Sequence, residues 1–182
     1  WHFCTNVADN SHDYFFLDST NAKADSAFTA PTSDYFYWNS NEDNHYIAYC
    51  WHSVPGFSKI GKYKGTGTLD RGFVYTGFKP AWVMLKHATG SVGTSYTGWL
   101  IVDNKRSSVN PVGITTNLWA NYSAAEGVRG DGTSAPSGVG ALDFLANGFR
   151  LRDTNSDEVN DPSDTYIYMA FAEAPFTRTS AK

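Results

Sequence analysis

The sequence predicts an all-β protein of antiparallel sheets, sandwich-like or jelly-roll-like, built from tandem repeat units. Three observations predict it. Aromatic residues make up 16% of the chain against 18% charged residues, and there are 16 glycines, a balance that suits half-buried pleated strands joined by turns. Apolar residues alternate with period two in many short runs, and no segment keeps a 3.6-residue period over three turns. The third observation is a repeat. Tyr46-Ile-Ala-Tyr-Cys-Trp-His-Ser-Val-Pro-Gly-Phe57 returns as Tyr166-Ile-Tyr-Met-Ala-Phe-Ala-Glu-Ala-Pro-Phe176, with Gly56 as the extra residue.

Two more anchors stand upstream of each copy in the same order. Trp1-His-Phe-Cys-Thr-Asn6 matches Trp99-Leu-Ile-Val-Asp-Asn104, and Leu17-Asp-Ser-Thr-Asn-Ala22 resembles Leu118-Trp-Ala-Asn-Tyr-Ser-Ala124. The first copy therefore predicts strands at residues 1–5, 14–17, 35–38 and 46–51. In the second, strands fall on either side of a hairpin or corner at Gly77-Phe-Lys-Pro80, then at 99–103, from Phe144, at 149–151 and at 166–171. Gly61-Lys-Tyr-Lys-Gly-Thr-Gly67 lacks the Gly-Lys-Ser/Thr ending of a phosphate loop. Its lysines suit an edge strand, where charge discourages pairing with other chains. The glycine-rich run from Gly127 to Gly140 reads as a surface loop.

The front end of the unit, from Gly61 to Lys86, occurs once. Residues 1–58 are accordingly the C-terminal half of a first repeat unit and residues 59–182 a complete second unit. With no initiator Met and no leader-like start, the expectation is a fragment. The two cysteines, Cys4 and Cys50, align with Val102 and Ala170, which favours small buried hydrophobes over a bridge.

Composition also excludes partners. A net charge of −4 and a pI of about 5.6 argue against nucleic acid, whose phosphates need clustered Lys and Arg. No apolar run approaches the roughly 20 residues that span a bilayer, so membrane insertion is not expected.

Two candidate sites emerge. Asp153-Thr-Asn-Ser-Asp-Glu-Val-Asn-Asp-Pro-Ser-Asp164 alternates oxygen-bearing side chains as a calcium loop does, with Asp153, Asn155, Asp157 and Asp161 as ligands. Glu158 occupies the sixth position, where a helix-loop-helix calcium loop has Gly, and Asp164 the twelfth, where it has Glu; a run of Asx turns is the other reading. Asn39-Ser-Asn-Glu-Asp-Asn44 holds the equivalent place in the first copy. The second candidate is a sugar platform in the polar loop 115–123, where the rings of Trp119 and Tyr122 read as exposed beside Asn117 and Asn121. A ring stacks on a sugar's apolar face while amides bond its hydroxyls; packing between copies is the alternative. No Gly-x-Ser-x-Gly, His-Glu-x-x-His or Cys-x-x-Cys motif occurs, so the sequence predicts no enzyme and no cofactor.

Gly61-Lys-Tyr-Lys-Gly-Thr-Gly67, Phe73-Val-Tyr-Thr-Gly-Phe-Lys-Pro-Ala-Trp-Val-Met-Leu-Lys86, Asp143-Phe-Leu-Ala-Asn-Gly-Phe-Arg-Leu-Arg152 and Thr165-Tyr-Ile-Tyr-Met-Ala-Phe-Ala-Glu-Ala-Pro-Phe176 together resemble a domain of unknown function common in tail-fibre-like proteins of marine bacteriophages. In that family the unit occurs in tandem and often follows a laminin-G or lectin-like β-sandwich. The resemblance implies a non-enzymatic virion structural protein, part of a tail fibre or other appendage. It further implies a homo-oligomer, with a trimer favoured, bound to other virion proteins and contacting host surface glycans. A secreted carbohydrate-binding or adhesion module of a marine bacterium is the alternative.

Overall fold

The computed structural model describes residues 1–38, 45–69, 72–89, 97–106, 109–110, 116–128, 142–153 and 158–175. Among them there is no helix, and every strand pairing is antiparallel, so the chain is all-β as its composition predicts. None of the described residues forms a helix long and apolar enough to cross a membrane.

Eleven strands are described: β1 (His2–Thr5), β2 (Asp13–Phe16), β3 (Ala24–Asp25), β4 (Ser58–Lys64), β5 (Phe73–Tyr75), β6 (Pro80–His87), β7 (Trp99–Asp103), β8 (Leu118–Trp119), β9 (Leu142–Leu145), β10 (Gly148–Leu151) and β11 (Thr165–Ala172). They form three sheets, ordered β1-β2-β3, β5-β10-β9 and β4-β11-β6-β7-β8. The five-stranded sheet lies between the other two. Its register, with Tyr168 opposite Leu85 and Leu85 opposite Leu100, carries these side chains to one face. There they pack with Val74, Leu142, Phe144, Phe149 and Leu151 of the β5-β10-β9 sheet. Ile167 and Trp99 point the other way and meet Ala8 and Phe15 of the β1-β2-β3 sheet. A strand buried on both faces reads as a continuous apolar run, and Tyr166-Ile-Tyr-Met-Ala170 is one, with no residue more than 5% exposed.

Local sequence explains the joints. Gly77, at φ +86, lets the chain leave β5 for β6 in a different sheet, so the turn read as a hairpin or corner is a corner. Pro55 and Gly56 (φ +73) occupy the middle of a tight turn closed by Phe57 N–H donating to Val54 O at 2.9 Å, which delivers the chain into β4. β4 is an edge strand, as its lysines indicate.

Three expectations need correction. Residues 35–38 and 46–51 belong to no strand, and their side chains are largely exposed, because no sheet edge within the described residues is paired with them. Trp119 lies on a strand, β8, because the edge of β7 accepts it at Leu100. Cys4 and Cys50 are unpaired but exposed, the reverse of the burial inferred from Val102 and Ala170. The segments 39–44 and 129–141, read as an Asx-rich turn and as most of the glycine-rich loop, lie outside the described residues.

Gly148 supplies a test of the β5-β10 junction. A Cβ there would stand 2.1 Å from Val74 O, a backbone atom that cannot move aside without opening the ladder. Gly148→Ala should cost about 1–3 kcal/mol or more, read from denaturant unfolding. A change under about 0.5 kcal/mol would show that the junction is looser than described.

Candidate functional site

The four residues of the expected sugar platform lie on and around β8, two of them buried and two half-buried. Trp119 is 5% exposed and sits in the main core, with Tyr122 edge-on at 6.0 Å and half-buried. Asn117 is fully buried, and its carbonyl accepts Gly127 N–H at 3.0 Å. Asn121 Oδ1 accepts Trp99 N–H at 2.8 Å, capping the entry to β7. Its amide also fills the space above Gly98, where a Cβ would meet Oδ1 at 2.5 Å. Of the rings read as exposed, Trp119 is covered, because pairing with β7 turns it inward, and Tyr122 is half-buried.

Of the calcium-loop set, Asp153 and Asp161 are placed, whereas Asn155 and Asp157 lie outside the described residues. Asp161 spends its carboxylate on Ser163, accepting from the backbone N–H at 2.7 Å and from the hydroxyl. The hydroxyl bond, ahead of the backbone bond, holds this carboxyl below its usual range. Asn160 is fully buried and ties the segment to the loop after β4. Its Oδ1 accepts Thr66 N–H at 2.8 Å, and its Nδ2 donates to the carbonyls of Thr68 and Asp153. The same docking explains Gly65, whose Cβ would stand 1.9 Å from Asp161 O. Among the described residues, no three His, Cys, Asp or Glu side chains converge on a metal position.

Two buried basic groups escaped sequence reasoning. His87 Nε2 lies 2.6 Å from Asp164 Oδ2, with both residues buried. Lys86 is fully buried on the face towards the small sheet, where its Nζ donates to the carbonyls of Thr97 (2.7 Å), His87 (2.9 Å) and Thr20 (3.2 Å). Burial lowers its pKa to about 7. Three carbonyl acceptors satisfy its three N–H donors and clamp the β2–β3 connection onto the middle sheet. The only signal in the sequence was a lysine interrupting the apolar run of β6.

The accessible chemistry is aromatic. On the outer face of the small sheet, His2 stacks on Tyr14 at 5.6 Å and meets Phe16 and Trp38 edge-on at 4.8 and 5.1 Å. Trp38 in turn contacts Phe28 and Tyr46. Beside it opens a cleft of about 280 Å³ lined by Ala27, Phe28, Thr29, Tyr37 and Trp38. Tyr35, Phe36, Ile47, Tyr49 and Trp51 extend the exposed apolar surface.

A family profile described as a domain of unknown function (DUF7483) matches residues 1–175. The chain belongs to this family. The match spans residues on both sides of position 58, including the small sheet and the aromatic surface. Comparison with curated proteins returned no match, and comparison with solved structures returned none.

Lys86 predicts a pH dependence. Its folded pKa of about 7 lies below the ordinary 10.5, so between these values the unfolded chain binds more protons than the folded one. Unfolding free energy should then rise with pH from about 7 towards 10, with a slope of at most roughly 1.4 kcal/mol per pH unit. Above about 10 the trend should reverse. Burial holds the hydroxyls of Tyr63 and Tyr168 high, the latter at about 12, so the unfolded chain loses those protons first. Lys86→Met should flatten the rise; an unchanged slope in urea titrations across this range would exclude Lys86 as its source.

Proposed function

We propose that this chain is a non-enzymatic structural protein of an extracellular assembly, part of a bacteriophage tail fibre or similar virion appendage. Its role is assembly, with attachment to host surface glycans as a second role. One observation carries the reading: large apolar side chains lie exposed in two runs, residues 35–37 and 46–51, on a body whose middle sheet is covered on both faces. Contiguous exposed apolar surface marks a protein's association sites, because water is expelled when a partner covers it. The likeness of residues 61–86 and 143–176 to the phage tail-fibre-associated domain supplies the virion context.

In this reading the chain works as a homo-oligomer, a trimer being favoured, in contact with other virion proteins. Light scattering on the purified chain at micromolar concentration should give about three times the 20.1 kDa of one chain. A monomer's mass under those conditions would retire the self-assembly reading.

A second reading, a secreted carbohydrate-binding or adhesion module of a marine bacterium, is favoured by the cleft at Phe28, Tyr37 and Trp38. Here aromatic residues line a cleft together with Thr29, and rings beside a hydroxyl-bearing side chain are the combination that holds a sugar. Retention on immobilised polysaccharide should fall about tenfold or more in Tyr37→Ala and Trp38→Ala. Equal retention by wild type and both variants would remove the cleft from consideration.

A further inference from the structure

We propose that Ser53 and Ser58 lock the outer edge of β4. Their hydroxyls end the hairpin of residues 52–60 after one rung and so close the edge to strand pairing by a second copy of this chain. The inference goes beyond the assembly reading, since it names an edge through which copies do not join.

The edge needs such a device. β4 runs for seven residues along one margin of the five-stranded sheet, whereas β8 at the other margin has two. A long strand with unpaired N–H and C=O groups is a template on which a like strand adds. In an antiparallel strand both backbone groups of one residue point to the same side, and the side alternates along the chain. Ser58 and Ile60 direct theirs away from β11, to Val54 and Ser53, and Lys62 and Lys64 share that parity.

The hairpin begins as an ordinary ladder. Val54 and Ser58 exchange both backbone bonds, each at 3.0 Å. The next bonded rung of a continuing ladder would join residues 52 and 60. Among the described residues that rung is absent, and serine hydroxyls stand in on both sides of it. Ser53 Oγ accepts Ile60 N–H at 3.0 Å and donates to Ile60 O at 3.3 Å. Ser58 Oγ donates to His52 O at 2.8 Å and accepts Val54 N–H at 3.2 Å. A hydroxyl has one donor and two acceptor lone pairs, so each serine acts within its capacity.

Tethering makes this a lock. Water on Ile60 would leave as a strand arrived. The Ser53 hydroxyl is fixed next to the Val54–Ser58 rung, and the turn behind it is tied to β11 by Ala172 N–H donating to Phe57 O at 2.9 Å.

A second copy is the strand donor this edge fits. Two β4 strands related by a two-fold axis at Lys62 would run antiparallel and pair Ile60 with the copy's Lys64, Lys62 with its own image, and Lys64 with the copy's Ile60. Engaging Ile60 removes the first and last of these rungs together. The rung that remains sets Lys62 directly opposite Lys62, where like charges repel. Serines and lysines therefore close the same edge by different means, and the lysines alone were legible in the sequence.

The test compares the whole chain with Ser53→Ala, which loses the hydroxyl, and Ser53→Thr, which keeps it. Ser53 is exposed, so both variants should fold and melt as wild type does. Site-resolved amide exchange at Ile60 should quicken about tenfold or more in Ser53→Ala and stay near wild type in Ser53→Thr. Sedimentation velocity, from about 10 μM to about 500 μM protein, is run in about 0.5 M salt to screen the lysines. Ser53→Ala should there reach about twice the mass of wild type, with new amide protection at residues 60–64, while Ser53→Thr should not. Unchanged exchange at Ile60 in Ser53→Ala would overturn the proposal, and so would faster exchange with no gain in mass. Wild type that associates with protection at 60–64 would overturn it too, by showing the edge open. A wild-type monomer would retire the assembly reading and leave the lock standing, because each variant is compared with wild type.

Discussion

Burial of β11 on both faces is the constraint from which the rest of the structure follows. The strand is held between β4 and β6, and its odd and even residues enter different cores. Tyr168 and Ala170 serve the larger core, Ile167 the smaller, so a slip of one residue would exchange the two sets. Neighbours must accommodate this. Gly61 lacks a side chain because Tyr168 occupies its space, with ring atoms 2.7–2.8 Å from where a Cβ would lie. Tyr63 stacks on Tyr166 at 5.1 Å and sends its hydroxyl to Val159 O, which anchors the connection before β11.

A sheet covered twice must also deal with any polar group in its strands, since a buried donor without a partner costs roughly 1–3 kcal/mol. Lys86 and His87, adjacent on β6, point to opposite faces and are held differently: Lys86 by three carbonyls, His87 through Nε2 by Asp164, while its buried Nδ1 has no partner among the described residues. The bonds of Lys86 to Thr20 and of His87 to Asp164 join elements far apart in sequence, so these polar groups reinforce the same layering that the apolar ones require. Lys23 does similar work within the small sheet, where Asp9, Asp13 and Asp25 surround its ammonium at 2.6–3.1 Å.

With both faces of the middle sheet covered, the exposed aromatic surface lies outside it. The cleft at Trp38 lies beside the outer face of the small sheet and is joined to the run 46–51 through the contact of Trp38 with Tyr46. Two asparagines in or beside the candidate segments hold the fold together. Asn160 and Asn121 are engaged with backbone groups, a use that short polar side chains share with ligand binding and that sequence cannot distinguish from it.

The sequence by itself determined that the protein is all-β, where the strands of residues 58–172 mostly lie, that β4 is an edge, and that the run beginning Tyr-Ile occurs twice. These are legible because period-two alternation, edge lysines and glycine corners act through neighbouring residues. Only the tertiary structure decided which aromatic rings are covered. Trp119 and Trp51 stand in comparably mixed surroundings in sequence, yet one is buried against Leu100 and the other is 53% exposed. The same holds for Tyr166 and Tyr46. Burial depends on whether a sheet edge distant in the chain lies alongside to pair, and that is a property of the assembled sheets, which no local pattern encodes.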